Sequence, residues 1–565
     1  MKTSFKSYLL FILIILNFCC KKTKVNEDKQ YSISKAMDYV FEKNINETIE
    51  FYYELKKDSS DYYNFNDENE LNSFGYQLLN EGKTEEAIKI FELLVSEFPN
   101  LANPYDSLGE AYYSNGNLQE SLVNYQKALL LDSENSNAAE WVDRIKYPSI
   151  DSTKFYKIYS KKEYIEDIDE LAKTITTRNP HPFKFIEEEE FWSALESKKE
   201  KITNQTTFSE FIWHCSEIIA NINCGHSGFG YFNQENAILP ITLRFPLETK
   251  LIGGKLYVYD PLTNKGKISA GDEIIEINGN KISKIKDDIF KHIKSQGKIE
   301  SSKRHVFNAY SSAYIPYSLN FPSSYNITLK KTNERIELLK LTNYKPKPRI
   351  NSSNVCQKNL CLQINNEKDL AIITIRSFAY YGGKFSEYKE FIDKSFKEIS
   401  EKKVSNLILD VRMNGGGPSD AGIYLLRYLA NEPFVYFSSS AFNEKKEPIT
   451  PFLSRFNGEV KFLIDGNGGS TTGHVMSIVK HLGLGEIIGE ELGSNQFCTG
   501  GQISHRMRNT EIFYAVGRYT YITSANSFSD ERGVMPDFFV SKNIDDYLNN
   551  QDAVLKFALD YIGNK

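Results

Sequence analysis

Two glycine-rich turns carry the residues best suited to chemistry. One reads Leu409-Asp410-Val411-Arg412-Met413-Asn414-Gly415-Gly416-Gly417, the other Ile464-Asp465-Gly466-Asn467-Gly468-Gly469-Ser470-Thr471. Each follows a short apolar run. After Ser470, the residues Val475, Ile478, Val479 and Leu482 share one helical face. Ser470 therefore falls between a strand and a helix N-terminus. The first N–H groups of a helix lack intrahelical partners, and the dipole there favours negative charge. A serine nucleophile needs such a place, because its attack on a carbonyl creates an oxyanion beside it. The N–H of Thr471 lies at this end, and Gly416 or Gly417 could add a second, since glycine permits close backbone approach. The bland reading is two helix N-caps, serine being a favoured cap residue. Neither turn continues into the Gly-Lys-Ser/Thr of a phosphate-binding loop.

The elements that must position these turns belong to a chain of 565 residues, long enough for three or four domains. Hydrophobic residues make up 41% and charged residues 25%, which is ordinary for globular protein and excludes collagen, a disordered tail or a multi-span membrane protein. A net charge of −6 without a long basic run argues against nucleic acid. Seven cysteines are too few for a disulfide-built scaffold. After Asn366 the texture is α/β. Residues 371–375, 407–411, 460–464, 486–488 and 512–516 are strand candidates. Residues 150–229 are patterned as helices, with Phe208, Phe211, Ile212, Cys215, Ile218 and Ile219 on one face, and end in a loop containing Cys224-Gly225-His226-Ser227. Residues 236–345 read as short strands with turns.

The N-terminus has Lys2 and Lys6 before the apolar run Leu9–Leu16, too short for a bilayer span, and then Cys19-Cys20. This resembles a bacterial lipoprotein signal, in which a cysteine after the apolar run is lipidated. Cys19 or Cys20 would carry the lipid, and the rest of the chain would lie in the cell envelope facing the periplasm or exterior. A plain signal peptide or a short anchor is the alternative. In that setting Cys356 could pair with Cys361, and Cys224 with Cys498.

An internal repeat follows. Leu71, Phe74, Gly75, Leu78, Ala87, Phe91, Leu94 and Pro99 recur thirty-four residues on as Tyr105, Leu108, Gly109, Tyr112, Ser121, Tyr125, Ala128 and Ser133. The period resembles that of tetratricopeptide repeats, which hold peptides or protein partners. Ala270-Gly271-Asp272-Glu273-Ile274-Ile275-Glu276-Ile277-Asn278-Gly279 resembles the signature strand and turn of PDZ domains, which bind peptide ends by strand addition.

The two glycine turns also resemble a family. Asp410-Val411-Arg412-Met413-Asn414-Gly415-Gly416-Gly417 is similar to a turn of the tail-specific and tricorn-core serine peptidases. Ser470 and the segment after it resemble their nucleophile region, with Gly489 nineteen residues on, and Gly533-Val534-Met535-Pro536-Asp537 resembles their closing motif. The likeness spans about 190–545. Gly473 departs from the family's glutamate, and Thr471 from its alanine. Tail-specific members use a lysine about twenty-five residues after the serine. Asn495 stands at that place, so the resemblance implies the tricorn-type solution, with His226 as general base and Asp530, or its neighbour Glu531, as the acid. Such a base would titrate near neutrality. His474, one turn past Ser470, is the rival histidine, and His181 reads as a turn residue.

These readings imply a multidomain chain. Its parts are a lipoprotein signal (1–19), a linker with a helix (20–66), an α-helical TPR module (67–146), a helical part of the peptidase unit (147–235) and a PDZ-like β-rich domain (236–345). An α/β peptidase core of ClpP/crotonase-like class (366–545) and a C-terminal helix (546–565) complete it. The expected activity is hydrolysis of peptide bonds by Ser470, His226 and Asp530, with the N–H groups of Thr471 and Gly416 or Gly417 on the oxyanion. No metal or organic cofactor is implied, since no HExxH or paired Cys/His ligand spacing occurs. A non-catalytic ligand-binding protein on the same fold and a TPR scaffold at the membrane are the alternatives. Removing 67–146 is expected to spare hydrolysis of small substrates.

Overall fold

The computed structural model describes residues 31–41, 44–147, 152–229, 233–344, 356, 358–440, 447–525 and 528–563. Cys19 and Cys20 lie outside the described residues. The chain divides into two compact units, one ending at Pro99 and the other spanning Asn100–Lys565.

The first unit holds helices α1 (Ile33–Val40), α2 (Ile45–Asp58), α3 (Glu68–Asn80) and α4 (Thr84–Glu97). The helices α3 and α4 form a hairpin whose closeness depends on Gly75. A Cβ there would lie 2.5 Å from the Phe91 ring. The second unit opens with α5 (Ala102–Ser114), α6 (Leu118–Leu131) and α7 (Ser136–Lys146). The same small-against-large contact recurs in α5 and α6, where a Cβ at Gly109 would meet Tyr125 at 3.0 Å. Ser121, which takes the place of Ala87, donates its hydroxyl to Gly109 O at 2.8 Å, so its polar group is satisfied inside the hairpin.

Three helices follow, α8 (Lys161–Arg178), α9 (Glu188–Lys201) and α10 (Phe208–Asn221). Ser160 with Glu163, and Thr207 with Glu210, form capping boxes that fix where α8 and α10 begin. All six residues expected on the apolar face of α10 are buried.

Next comes an antiparallel sheet of β1 (Glu248–Ile252), β2 (Lys255–Asp260), β3 (Glu273–Ile277), β4 (Asn280–Lys281), β5 (Asn326–Leu329) and β6 (Arg335–Glu337), in the order β1-β2-β3-β5-β6 with β4 on β3. Helices α11 (Ile282–Lys291) and α12 (Glu300–Ser318) interrupt it. The run read as strands and turns thus contains two helices. Ile282, Ile285 and Ile289 of α11 are spaced for a helix, whereas α12 is rich in serine and tyrosine and hides its pattern. One hydrophobic core joins α8–α10 to this sheet.

The last region is built on a sheet ordered β17-β12-β11-β9-β8-β7, formed by β7 (Leu360–Asn365), β8 (Leu370–Ile375), β9 (Asn406–Asp410), β11 (Glu459–Ile464), β12 (Glu486–Gly489) and β17 (Phe538–Phe539). All neighbours are parallel except β7 and β8. Leu407, Leu409, Phe462, Ile464 and Ile487 enter the core on one face. There they meet α13 (Phe385–Glu401), α14 (Ser419–Arg427) and α15 (Thr471–Leu482). Ile408, Leu463 and Ile488 face the other way, onto α16 (Ala553–Gly563). Burial on both faces is why these strands read as unbroken apolar runs. Off this sheet, β10 (Phe437–Ser440), β16 (Tyr519–Thr523) and β13 (Phe497–Gly500) form a second one, and β14 (Ile503–Arg506) pairs with β15 (Phe513–Val516). Cys356 and Cys361 form a disulfide, while Cys224 and Cys498 are free thiols.

Candidate active site

The parallel pairing of β9 with β11 sets Asp410 opposite Leu463. The two glycine turns therefore leave adjacent strands at their carboxyl ends, where open α/β sheets place their crevices. Asn414 locks one turn to the other. Its Oδ1 accepts the Gly416 N–H at 2.9 Å, its carbonyl accepts the Gly469 N–H at 3.0 Å and the Thr472 hydroxyl at 2.8 Å, and its Nδ2 donates to Ile375 O. A Cβ at Gly416 would lie 2.7 Å from Ser470 Cβ, so a side chain there would collide with the serine.

Ser470 occupies the N-cap position of α15 but makes no side-chain cap. Its φ of 51° with ψ of −122° is a conformation L-residues rarely adopt. Such a backbone costs on the order of 1–3 kcal/mol and persists where surrounding structure imposes it. The ordinary N-cap reading accounts for neither feature. Among the described residues, the N–H groups of Thr471 and Gly417 have no hydrogen-bond partner, whereas that of Gly416 is committed to Asn414. Gly416 therefore shapes the turn, and Gly417 is the glycine left with a donor to offer. The Thr471 hydroxyl donates to Gly417 O, which ties the two donors together.

The Ser470 hydroxyl lies beside the Cys498 thiol on β13, a neighbour that no spacing in the sequence announces. Burial first, and then Cys224, push the Cys498 thiol well up, so it is a neutral partner rather than a rival nucleophile. Cys224 lies two residues before His226 and points its sulfur at Thr499 O, 3.8 Å away.

His226 sits in the loop after α10. This loop packs on Gly517, where a Cβ would come within 3.3 Å of His226 Cβ. Its Nδ1 is buried without a partner. Burial, and then the charge of Lys294, lower its pKa to about 4. Lys294 comes from the segment between α11 and α12 and runs across Gly228, where a Cβ would meet its Cδ at 2.5 Å. The same segment braces the loop through the Gly297 N–H, which donates to Asn223 O at 2.9 Å. Nothing in the sequence pointed to Lys294.

His474 lies within electrostatic reach of His226, and its pKa falls to about 3, by burial first and then by that neighbour. Its ring packs among Phe437, Tyr436 and Tyr521, with both nitrogens unpartnered. No hydrogen bond joins Ser470 to either histidine among the described residues.

Asp530 is held elsewhere. Lys184 Nζ pairs with its Oδ2 at 2.8 Å, and Gln496 Nε2 donates to its Oδ1 at 2.6 Å. Glu531 pairs with Lys298. Neither carboxylate reaches His226 in this conformation. Asn495 is buried and fully engaged, donating to the carbonyls of Asp530 and Arg532 at 2.8 and 2.7 Å. His181 packs its ring near Phe497. Among the described residues no three His, Cys, Asp or Glu side chains converge as a metal site would.

Residues 369–540 match the model of peptidase family S41. The chain carries a peptidase family S41 domain. The S41 domain is that of a serine-type peptidase and implies a peptide or protein substrate. It spans the whole parallel sheet from β8 to β17, both glycine turns and Asp530. His226 and the two sequence-distant helical hairpins lie outside the matched residues. Solved structures to which the chain is similar include mature CPAF in complex with lactacystin (12% identity, 72% of this chain and 99% of that one, TM-score 0.48). The photosystem II D1 C-terminal processing protease is similar at 15% identity, over 70% of this chain and 99% of that one, with a TM-score of 0.35. The tricorn protease is similar at 17% identity, over 72% of this chain and 37% of that one, with a TM-score of 0.34. No curated protein sequence matches the chain.

Proposed function

We propose that the protein is an exported, lipid-anchored serine peptidase with Ser470 as nucleophile and His226 as general base. The observation that carries this reading is Ser470 itself: a strained, non-capping serine at a helix N-terminus, with the donors of Thr471 and Gly417 beside it. On substrate binding the hydroxyl gives its proton to the neutral His226 as its oxygen bonds the peptide carbonyl carbon. The oxyanion is held by Thr471 and Gly417 N–H groups. The imidazolium then protonates the leaving amine, and water hydrolyses the ester by the same route. Asp530 acts on the histidine loop through its backbone, which packs on Gly297, whose N–H holds Asn223 ahead of His226. The N-terminal hairpins are proposed as tetratricopeptide-like, the antiparallel sheet as PDZ-like, and Cys19 or Cys20 as the lipidated residue.

One observation favours a non-catalytic binding protein on the same fold: His226 Nδ1 has no partner. Labelling with a small fluorophosphonate separates the two readings, because it needs an activated serine and no knowledge of the substrate. Labelling that disappears in Ser470→Ala is the expected result. An unlabelled, folded protein would overturn the catalytic reading.

A further inference from the structure

We infer that α5 to α7 form a wall across the substrate cleft, which admits an extended polypeptide strand in preference to folded protein. This rests on Ser470 being the nucleophile.

One rim of the site is the segment that follows β8. The Phe378 N–H donates to Gly416 O at 3.0 Å, and a Cβ at Gly417 would fall 2.1 Å from the Phe378 carbonyl carbon, so this segment is pressed against the turn beside Ser470. It continues to Lys384, whose N–H donates to Tyr381 O. Lys384 Nζ pairs with Glu110 of α5 at 2.6 Å. The opposite rim starts at Cys498, beside the Ser470 hydroxyl, and runs along β13 to Gly500. Gly500 O accepts the Arg518 N–H at 2.8 Å, and the neighbouring Gly517 packs on His226. The Arg518 guanidinium pairs with Glu134, between α6 and α7, and its Nη2 also donates to Glu134 O at 3.1 Å. Arg506, at the end of β14, pairs with Asp143 of α7 at 2.7 Å and stacks over Tyr147 at 3.9 Å.

A single helical segment thus brings three carboxylates to three cations, one on the oxyanion-turn side of Ser470 and two on the histidine side. Tied at both rims, it bounds the approach to the serine. A strand of polypeptide can lie between helices and strands so arranged, whereas a folded domain must displace the helices first. The pairing is one of charge, and reversing the acidic partners turns each attraction into repulsion.

The test uses the full chain and two probes with the same warhead, a small fluorophosphonate and that fluorophosphonate tethered to a small folded protein domain. The unaltered protein should react with the small probe at least about tenfold faster, beyond the ratio shown by a free, open serine hydrolase. In the variant combining Glu110→Lys, Glu134→Lys and Asp143→Lys, the ratio should shrink to within about twofold of that reference. Lys384→Glu, which reverses the other partner of one pair, should move it in the same direction. A ratio near the reference in the unaltered protein, or one unchanged in both variants, overturns the wall. Loss of small-probe labelling in the variants would show that these helices hold the catalytic residues in place, and it too overturns the wall. No labelling of the unaltered protein strikes at the catalytic reading instead.

Discussion

At Ser470 the backbone supports the proposed role as nucleophile. A serine that capped α15 would relax to negative φ and point its hydroxyl at a free N–H; this one does neither. The surroundings of His226 suit the base role proposed for it. His226 is lowered to about 4, by burial first and then by Lys294, so it is neutral and able to take a proton throughout the ordinary pH range. A base works only when deprotonated, so kcat/KM should rise with pH through about 4 to 5 and stay flat through neutrality, rather than rising near the usual histidine value. Lys294→Met should move that limb upward. Ser470→Ala and His226→Ala should each lower turnover by about 10⁴ or more, and the double variant should be little worse than either alone. A limb near pH 6.5, or additive losses, would count against His226. In the sequence Gly473 departs from the glutamate of the family it resembles. In the fold a Cβ there would lie 2.6 to 2.7 Å from the Asn495 backbone, so the turn after β12 can pack on α15 only if this residue is glycine. Gly473→Ala should therefore destabilise by about 1–3 kcal/mol, readable in chemical unfolding.

Among the elements, the strands under the glycine turns were legible because both faces of the sheet are covered and the runs are apolar throughout. Ser470 was legible because strand, glycine and helix follow one another in the chain. The partners of the site were not. The Cys498 contact, Lys294 beside His226 and the carboxylate of Asp530 on Gln496 and Lys184 join residues far apart in sequence, and no local pattern encodes them. The choice of Gly417 over Gly416 turned on one side chain, Asn414, which takes the Gly416 N–H. The turn also depends on what lies beneath it. Asp410, at the end of β9, accepts from Arg376 and Arg412, and Arg412 also pairs with Asp552. Burial would raise the Asp410 carboxyl, but Arg412 and Arg376 outweigh it and its pKa is lowered. A depressed carboxylate stabilises above its unfolded value of about 4 and loses that contribution as pH falls through the folded value. Asp410→Asn should leave buried guanidinium charge uncompensated and cost about 3–5 kcal/mol near neutrality. The difference from the unaltered protein should narrow in acid below about pH 4. A constant difference across pH would mean that the pair is not what stabilises the turn.

For the whole molecule, the two helical hairpins look alike in sequence and share their glycine-against-aromatic contact, yet the compact units part them at Pro99. Sequence periodicity reports how a hairpin packs internally; where it docks is decided by surface charge, here Glu110, Glu134 and Asp143. Residues 100–146 belong to the unit that holds Ser470, so their removal should cost that unit stability while small-substrate hydrolysis is still expected to survive. A chain starting at Asn100 should keep the small-fluorophosphonate labelling rate of the full protein within about twofold and unfold at a similar temperature. A chain starting at 152 gives up three ion pairs, each worth at most about 1 kcal/mol when partly exposed. It also gives up the packing of α7 on β14 and the Arg506–Tyr147 stack. At roughly 2–4 °C per kcal/mol for a body of this size, its midpoint should fall by several degrees in a thermal melt. The same melting temperature from both starting points would show that α5–α7 are held only by their own hairpin, and the boundary drawn at 146 would stand.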